Sequence, residues 1–157
     1  IVRNPEIAVI DACKRLGTTL VAFSPVGRGM FSQEPLDPEN YWEGDMRRRF
    51  FPRLAEPHFS ENMKLVARAR EIADDLGCSL PQLALAWVLA KGPEGVTIPG
   101  TKSLAHLEDN WAAADVALTE DGVAELDAHF APSAISGPRY SPAGQASVTT
   151  EMYAFET

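Results

Sequence analysis

The chain has 157 residues, room for one domain with its own core, and its 45% hydrophobic and 23% charged residues are those of a globular protein. Twenty-two acidic side chains against 14 basic ones leave a formal net charge of -8, and the densest basic run is only Arg47-Arg48-Arg49. That balance argues against a nucleic-acid or anionic-membrane surface, and no apolar stretch approaches the ~20 residues that cross a bilayer.

The opening Ile1-Val2-Arg3-Asn4-Pro5 has no Met and no leader character, so further sequence is expected before it and a cytoplasmic location follows. Cys13 and Cys78 lack CxxC spacing and read as reduced, buried thiols with no metal role. Asn4-Pro5-Glu6 then has the chemistry of a helix start, and apolar Ile7, Ile10, Cys13 and Leu16 predict a helix over 5–16 closed by Gly17. The β-prone run Thr19 to Ser24 predicts a short strand buried on both faces of a parallel sheet.

Residues 26–59 show no sustained periodicity and predict a long loop, either functional or disordered. Ser60 is the expected cap of a helix reaching Leu76, where Gly77 stops it. Ser79 and Gln82 have capping-box spacing, and the run Gln82 to Ala90 is apolar nearly all round, which predicts a deeply packed helix with Trp87 in the core, broken at Gly92-Pro93. Val96 to Pro99 is a second buried strand. Ser103 and Thr119 are expected to cap helices running to about Ala114 and Phe130, with Trp111 packed on the wall of the domain, and 131–157 is expected to be an irregular tail.

Alternating strands and helices require a parallel sheet, and two strands cannot form one with both edges protected. The chain is therefore expected to be part of a larger α/β fold. Taken alone it should be poorly stable, with open strand edges and an exposed apolar inner face.

Both strands end in residues suited to an anion. Ser24-Pro25-Val26-Gly27-Arg28-Gly29 places two glycines and a cation at a strand's carboxyl end, where α/β proteins bind ligands, although the same residues also make an ordinary turn. Pro99-Gly100-Thr101-Lys102-Ser103 repeats the arrangement before a helix N-terminus, whose dipole favours negative charge.

The segments VAFSPVGRGMF, PQLALAWVLAKGPEGVTIPGTKSLAHLEDNWAAADVALTEDGVAELD and SGPRY resemble the C-terminal part of the aldo-keto reductase superfamily, in its bacterial and plant branch with an IPGTK-type strand. The likeness runs from Arg3 to about Tyr140. It implies the C-terminal portion of a (β/α)8 TIM barrel over 1–130, the two strands being the seventh and eighth, and a protein that uses NADP(H) to reduce small aldehydes and ketones. By that resemblance Ser24, Val26, Gly27 and Arg28 wrap the cofactor's pyrophosphate. Gly100, Thr101 and Lys102 lie near the ribose and its 2'-phosphate, and Asp109 and Asn110 meet the adenine.

Two positions depart from the pattern. His106 stands where many members clamp the 2'-phosphate with an arginine, and histidine lacks the guanidinium's bidentate fork. Asp109 replaces a longer glutamate. The family's Asp, Tyr, Lys and His tetrad comes from the first four strands, so no catalytic residue is expected in this chain; Tyr41, Tyr140, Tyr153, His58, His106 and His129 show no substitute pattern. Tyr41 and Trp42 either contact ligand or pack on the rim. Arg139 and Tyr140 match a motif of the branch without an assigned role. A homo-oligomer is compatible with all of this, and a non-catalytic, nucleotide-binding or interaction remnant of the same barrel is the alternative reading.

Overall fold

A computed structural model describes residues 1–92, 95–149 and 151–156. In chain order it forms α1 (Val9–Leu16), β1 (Val21–Phe23), α2 (Met46–Phe50), α3 (His58–Asp75), α4 (Leu80–Lys91), β2 (Val96–Ile98), α5 (Leu104–Ala112), α6 (Glu120–His129) and a short α7 (Pro142–Gln145). The strands pair in parallel with Val21 opposite Val96 and Phe23 opposite Ile98.

The first helix is interrupted. Asn4–Glu6 closes as a 3-10 turn bridged by the Arg3–Glu6 pair, and α1 begins only at Val9 because the backbone leaves the helical region at Ala8 (φ -151°). Gly17 ends α1 in the left-handed conformation (φ 61°), as expected. Ser60 does not cap α3. That helix starts two residues earlier at His58, and the Ser60 hydroxyl donates to Glu56 instead. The capping box of α4 forms as read, Gln82 N–H donating to Ser79 Oγ at 3.2 Å and Ser79 N–H to Gln82 Oε1 at 3.0 Å. Helix α4 ends at Lys91 with Gly92 extended; the expected breaker Pro93 lies outside the described residues. Ser103 and Thr119 cap α5 and α6.

The main core is helical. Val66, Ala69, Ile72 and Ala73 of α3 meet Leu80 and Leu83 of α4 and Leu126 and Phe130 around α6. Met30, Phe31 and Leu54 complete it, so the segment without periodicity is packed rather than loose: its apolar residues enter the core singly, from turns, where no repeat can announce them. Asp45 caps α2, accepting from Arg47 N–H, and a salt bridge to the Arg47 guanidinium reinforces the corner.

Both strands are exposed on alternate residues, contrary to the reading of a strand covered on both faces. Ala22 and Thr97 turn towards the helices, whereas Val21, Phe23, Val96 and Ile98 form an open apolar face with Phe23 56% exposed. Helix α5 behaves likewise. Leu104, Leu107 and Trp111 share a stripe at helical spacing, and Trp111 is 81% exposed rather than packed on a wall, since no described element reaches that stripe. Trp87 is half-buried, its indole N–H donating to Asp127 at 2.9 Å.

The tail from 131 onwards is tied down by polar contacts. Fully buried Asn62 donates to the carbonyls of Arg53 (3.3 Å) and Ser136 (3.0 Å) and accepts from Ser136 N–H at 2.9 Å. Arg53 donates to Gly137 O, and the Tyr153 hydroxyl to Arg3 O. No helix among the described residues is long and apolar enough to cross a membrane.

Candidate functional site

The parallel register decides where the two polar turns lie. Phe23 sits opposite Ile98, so Ser24 and Pro99 leave the sheet side by side, roughly one strand spacing (~4.8 Å) apart. The turn over 24–29 and the turn over 99–103 therefore share one edge, at the carboxyl ends of both strands. No sequence spacing could have placed them together; the register does.

The first turn is tight and unusual. Ser24 (φ 51°) and Arg28 (φ 57°) both occupy the left-handed region although neither is glycine. Such residues are uncommon and cluster at functional sites. Gly27 is also left-handed (φ 60°), and a Cβ there would come within 3.1 Å of the Phe31 ring. The Gly27 and Gly29 N–H groups are used inside the turn, donating to Ser24 O (3.0 Å) and Val26 O (3.1 Å). What the turn presents instead is the Arg28 guanidinium, stacked 3.9 Å over the Phe51 ring.

In the second turn Thr101 Oγ1 accepts from Ser103 N–H at 3.1 Å and Ser103 Oγ from His106 N–H at 3.4 Å, so both hydroxyls shape the turn. Lys102 and His106 point into solvent. Neither Arg28 nor Lys102 is paired with a carboxylate among the described residues. Two unneutralised cations at one edge of an acidic chain give that edge a local positive potential.

Asp109 is engaged elsewhere. Its carboxylate accepts from Ser79 Oγ at 2.8 Å and its carbonyl from Gln82 Nε2 at 3.1 Å, so it braces α5 against the start of α4. Asn110 lies beside it, half-buried. Burial pushes the neighbouring Cys78 thiol up, and the Asp109 charge adds to the effect; both cysteines are free.

The remaining residues singled out in the sequence serve the framework. His58 bonds the Ser136 hydroxyl at 2.9 Å and His129 the Leu65 carbonyl at 2.9 Å. Tyr41 is 7% exposed beneath Arg47, whereas Trp42 faces solvent. Arg48 donates to Glu39 O at 2.8 Å, closing its own loop. Among the described residues no group of three or more metal-ligating side chains assembles.

Sequence reasoning missed two clusters. Arg3, Glu6, Lys91 and Asp127 form one charged network across the start of the chain, α4 and α6, with Lys91 2.5 Å from Asp127. Arg28, Phe51, Arg139 and Tyr140 form the other, where Arg139 lies 4.8 Å and Arg28 5.9 Å from the Tyr140 ring. Only the Arg139-Tyr140 motif hinted at the second.

Paired parallel strands ending together in polar, cationic turns are the arrangement with which α/β proteins hold ligands at their strand ends. The chain belongs to the aldo/keto reductase family, whose model matches residues 1–131. It is 36% identical over 143 residues to the aldo-keto reductase str7 of Strobilurus tenacellus, and that match covers 91% of this chain and 42% of the relative. Identity is again 36% over 141 residues to the aldo-keto reductase yakc [NADP(+)] of Schizosaccharomyces pombe, covering 90% and 41%. The chain thus spans about two fifths of the length of these curated relatives. Among solved structures, the glycerol dehydrogenase of Gluconobacter oxydans superposes with a TM-score of 0.77 over 90% of this chain and 42% of its own, at 18% identity. A thermostable aldo-keto reductase in complex with the inhibitor epalrestat matches with a TM-score of 0.56 at 29% identity, over 82% and 36%.

Proposed function

We propose that the complete protein is an NADP(H)-dependent oxidoreductase that reduces small aldehydes or ketones, and that this chain supplies the cofactor-binding C-terminal part of its barrel, with β1 and β2 as the seventh and eighth strands. Family membership supports the reaction class, and the relative whose name carries NADP(+) supports the cofactor. The observation that carries the reading is the shared edge, where the turns after β1 and β2 emerge side by side with Arg28 and Lys102 unneutralised.

The unpaired cations Arg28 and Lys102 suit the phosphates of a dinucleotide. Ser24, Val26, Gly27 and Arg28 would hold its diphosphate, and Gly100, Thr101 and Lys102 its ribose and 2'-phosphate. Gly100 has open space around its backbone, which lets a ligand approach closely. His106, exposed one turn along α5, can add a hydrogen bond to the 2'-phosphate but no fork. Asn110 remains the adenine contact, while Asp109 acts through the position of α5. When bound, the reduced nicotinamide supplies a hydride; the proton is expected from a tyrosine on the part of the barrel outside this chain.

Absorbance at 340 nm tests the reading. The complete polypeptide should oxidise NADPH in the presence of a simple aldehyde and prefer it to NADH, while residues 1–157 alone should turn over nothing. Turnover by this chain alone would overturn the assignment of the chemistry to the rest of the barrel. Failure of the complete polypeptide to bind NADPH would favour an interaction role instead.

A further inference from the structure

We propose that Arg28 and Arg139 are the two arms of an oxyanion site, and that Arg139 is a ligand-binding residue delivered to the strand-end edge by the C-terminal tail. The two guanidinium groups share Tyr140, so their separation cannot exceed the sum of their distances to its ring, 5.9 Å and 4.8 Å. Phe51 packs on Tyr140 with ring centroids 5.7 Å apart, and the Ser141 N–H donates to the Phe50 carbonyl at 3.1 Å, which pins this part of the tail to α2. The tail is thus built against the turn after β1.

Three observations point to an anion there. The Arg139 Nε is buried and has no hydrogen-bond partner. A guanidinium N–H without an acceptor away from water is costly, and a bound oxyanion is the acceptor that matches its geometry. Neither arginine is paired with a carboxylate among the described residues, although the chain carries 22 acidic side chains. Finally, both arginines line one cavity of about 280 Å³, together with Ser24, Gly27, Phe23 and Phe51. Its wall is largely apolar apart from Arg3, Arg53, Lys91 and the Glu6 carboxylate, so the attraction of the arginines for an anion is less screened there and offsets the anion's loss of water.

The ligand chemistry is a compact oxyanion attached to a larger body. Two sources present it: the diphosphate of the dinucleotide, or a carboxylate on the carbonyl substrate. Both rest on the proposed function, the first on its cofactor and the second on its substrate class. In either case the tail residue, not the strand turn alone, completes the grip.

Arginine modification by phenylglyoxal on the complete polypeptide tests this without a variant, with the rate at Arg139 read by peptide mass spectrometry. Inorganic pyrophosphate or benzoate should slow modification of Arg139 by about tenfold, while Arg68, exposed and paired with Glu71 and Glu125, should be unaffected. Protection by pyrophosphate assigns the diphosphate, and protection by benzoate assigns the carboxylate. Protection by neither overturns the proposal. Calorimetry on Arg139→Gln and Arg139→Lys should show about tenfold weaker binding of the protecting probe to the first and partial recovery in the second. Unchanged affinity in Arg139→Gln would likewise overturn it. NADPH binding without protection of Arg139 removes the second arm and leaves the cofactor reading standing; protection without NADPH binding does the reverse.

Discussion

Tyr41 shows how a single buried group sets a testable cost. Its hydroxyl is buried without a partner, and burial pushes its pKa up. A raised acid favours the neutral form in the fold, so stability should fall as pH rises above the unfolded tyrosine value of about 10. Tyr41→Phe removes both the orphaned hydroxyl and this alkaline loss. Its urea midpoint should equal or exceed the parent's at pH 7 and fall less above pH 10. Asp109 poses a different question, because its carboxylate already accepts from Ser79. Asp109→Ala should lower stability by about 1 kcal/mol and, under the proposed cofactor assignment, weaken NADPH binding through the altered position of α5. Weaker NADPH binding with an unchanged melting temperature would instead make the carboxylate a direct adenine contact.

Among elements, the joints are polar. Asp127 ties the start of the chain to α4 by accepting from Trp87 and pairing with Lys91 and Arg3. Asp127→Ala leaves the Trp87 indole N–H without its acceptor and leaves Lys91 and Arg3 to Glu6 alone, and chemical denaturation should show a loss of about 1–3 kcal/mol. Asn62→Ala belongs to the same class: Ser136 N–H and two carbonyls lose their partner, for about 3 kcal/mol and early release of the tail in hydrogen exchange. The Asp45–Arg47 pair adds an acid dependence. The Arg47 guanidinium holds the Asp45 carboxyl below the usual range, so its contribution is complete above the unfolded value of about 4 and is lost as pH falls through the lower folded one. Asp45→Asn should flatten that part of the acid limb.

For the whole molecule, the open face of Val21, Phe23, Val96 and Ile98 and the stripe of Leu104, Leu107 and Trp111 are the decisive surfaces. Apolar patches of this kind are interaction sites. Residues 1–157 in isolation should bind a hydrophobic dye and self-associate, whereas the complete polypeptide should do neither. A cooperative, monomeric, dye-negative transition for the isolated chain would show that these surfaces are not barrel contacts.

Local chemistry was legible in the sequence wherever a residue acts on its own neighbours. The caps at Ser79, Ser103 and Thr119 and the left-handed stop at Gly17 depend on interactions a few residues long, so composition and spacing determined them. The helix start at Val9 was not legible, because the break is a backbone turn at Ala8 that no residue type there announces, nor was the absence of a Ser60 cap. The core roles of Met30, Phe31 and Leu54 and the burial of Asn62 come from chain segments far apart in sequence. Most of all, the pairing of β1 with β2 brings two turns separated by some 75 positions to one edge, and the tail places Arg139 at the Tyr140 ring that Arg28 also approaches. Sequence supplied the polar and cationic side chains at the two strand ends. Only the tertiary structure decided which of them meet, because strand register and tail docking are set by packing between distant segments and leave no local pattern.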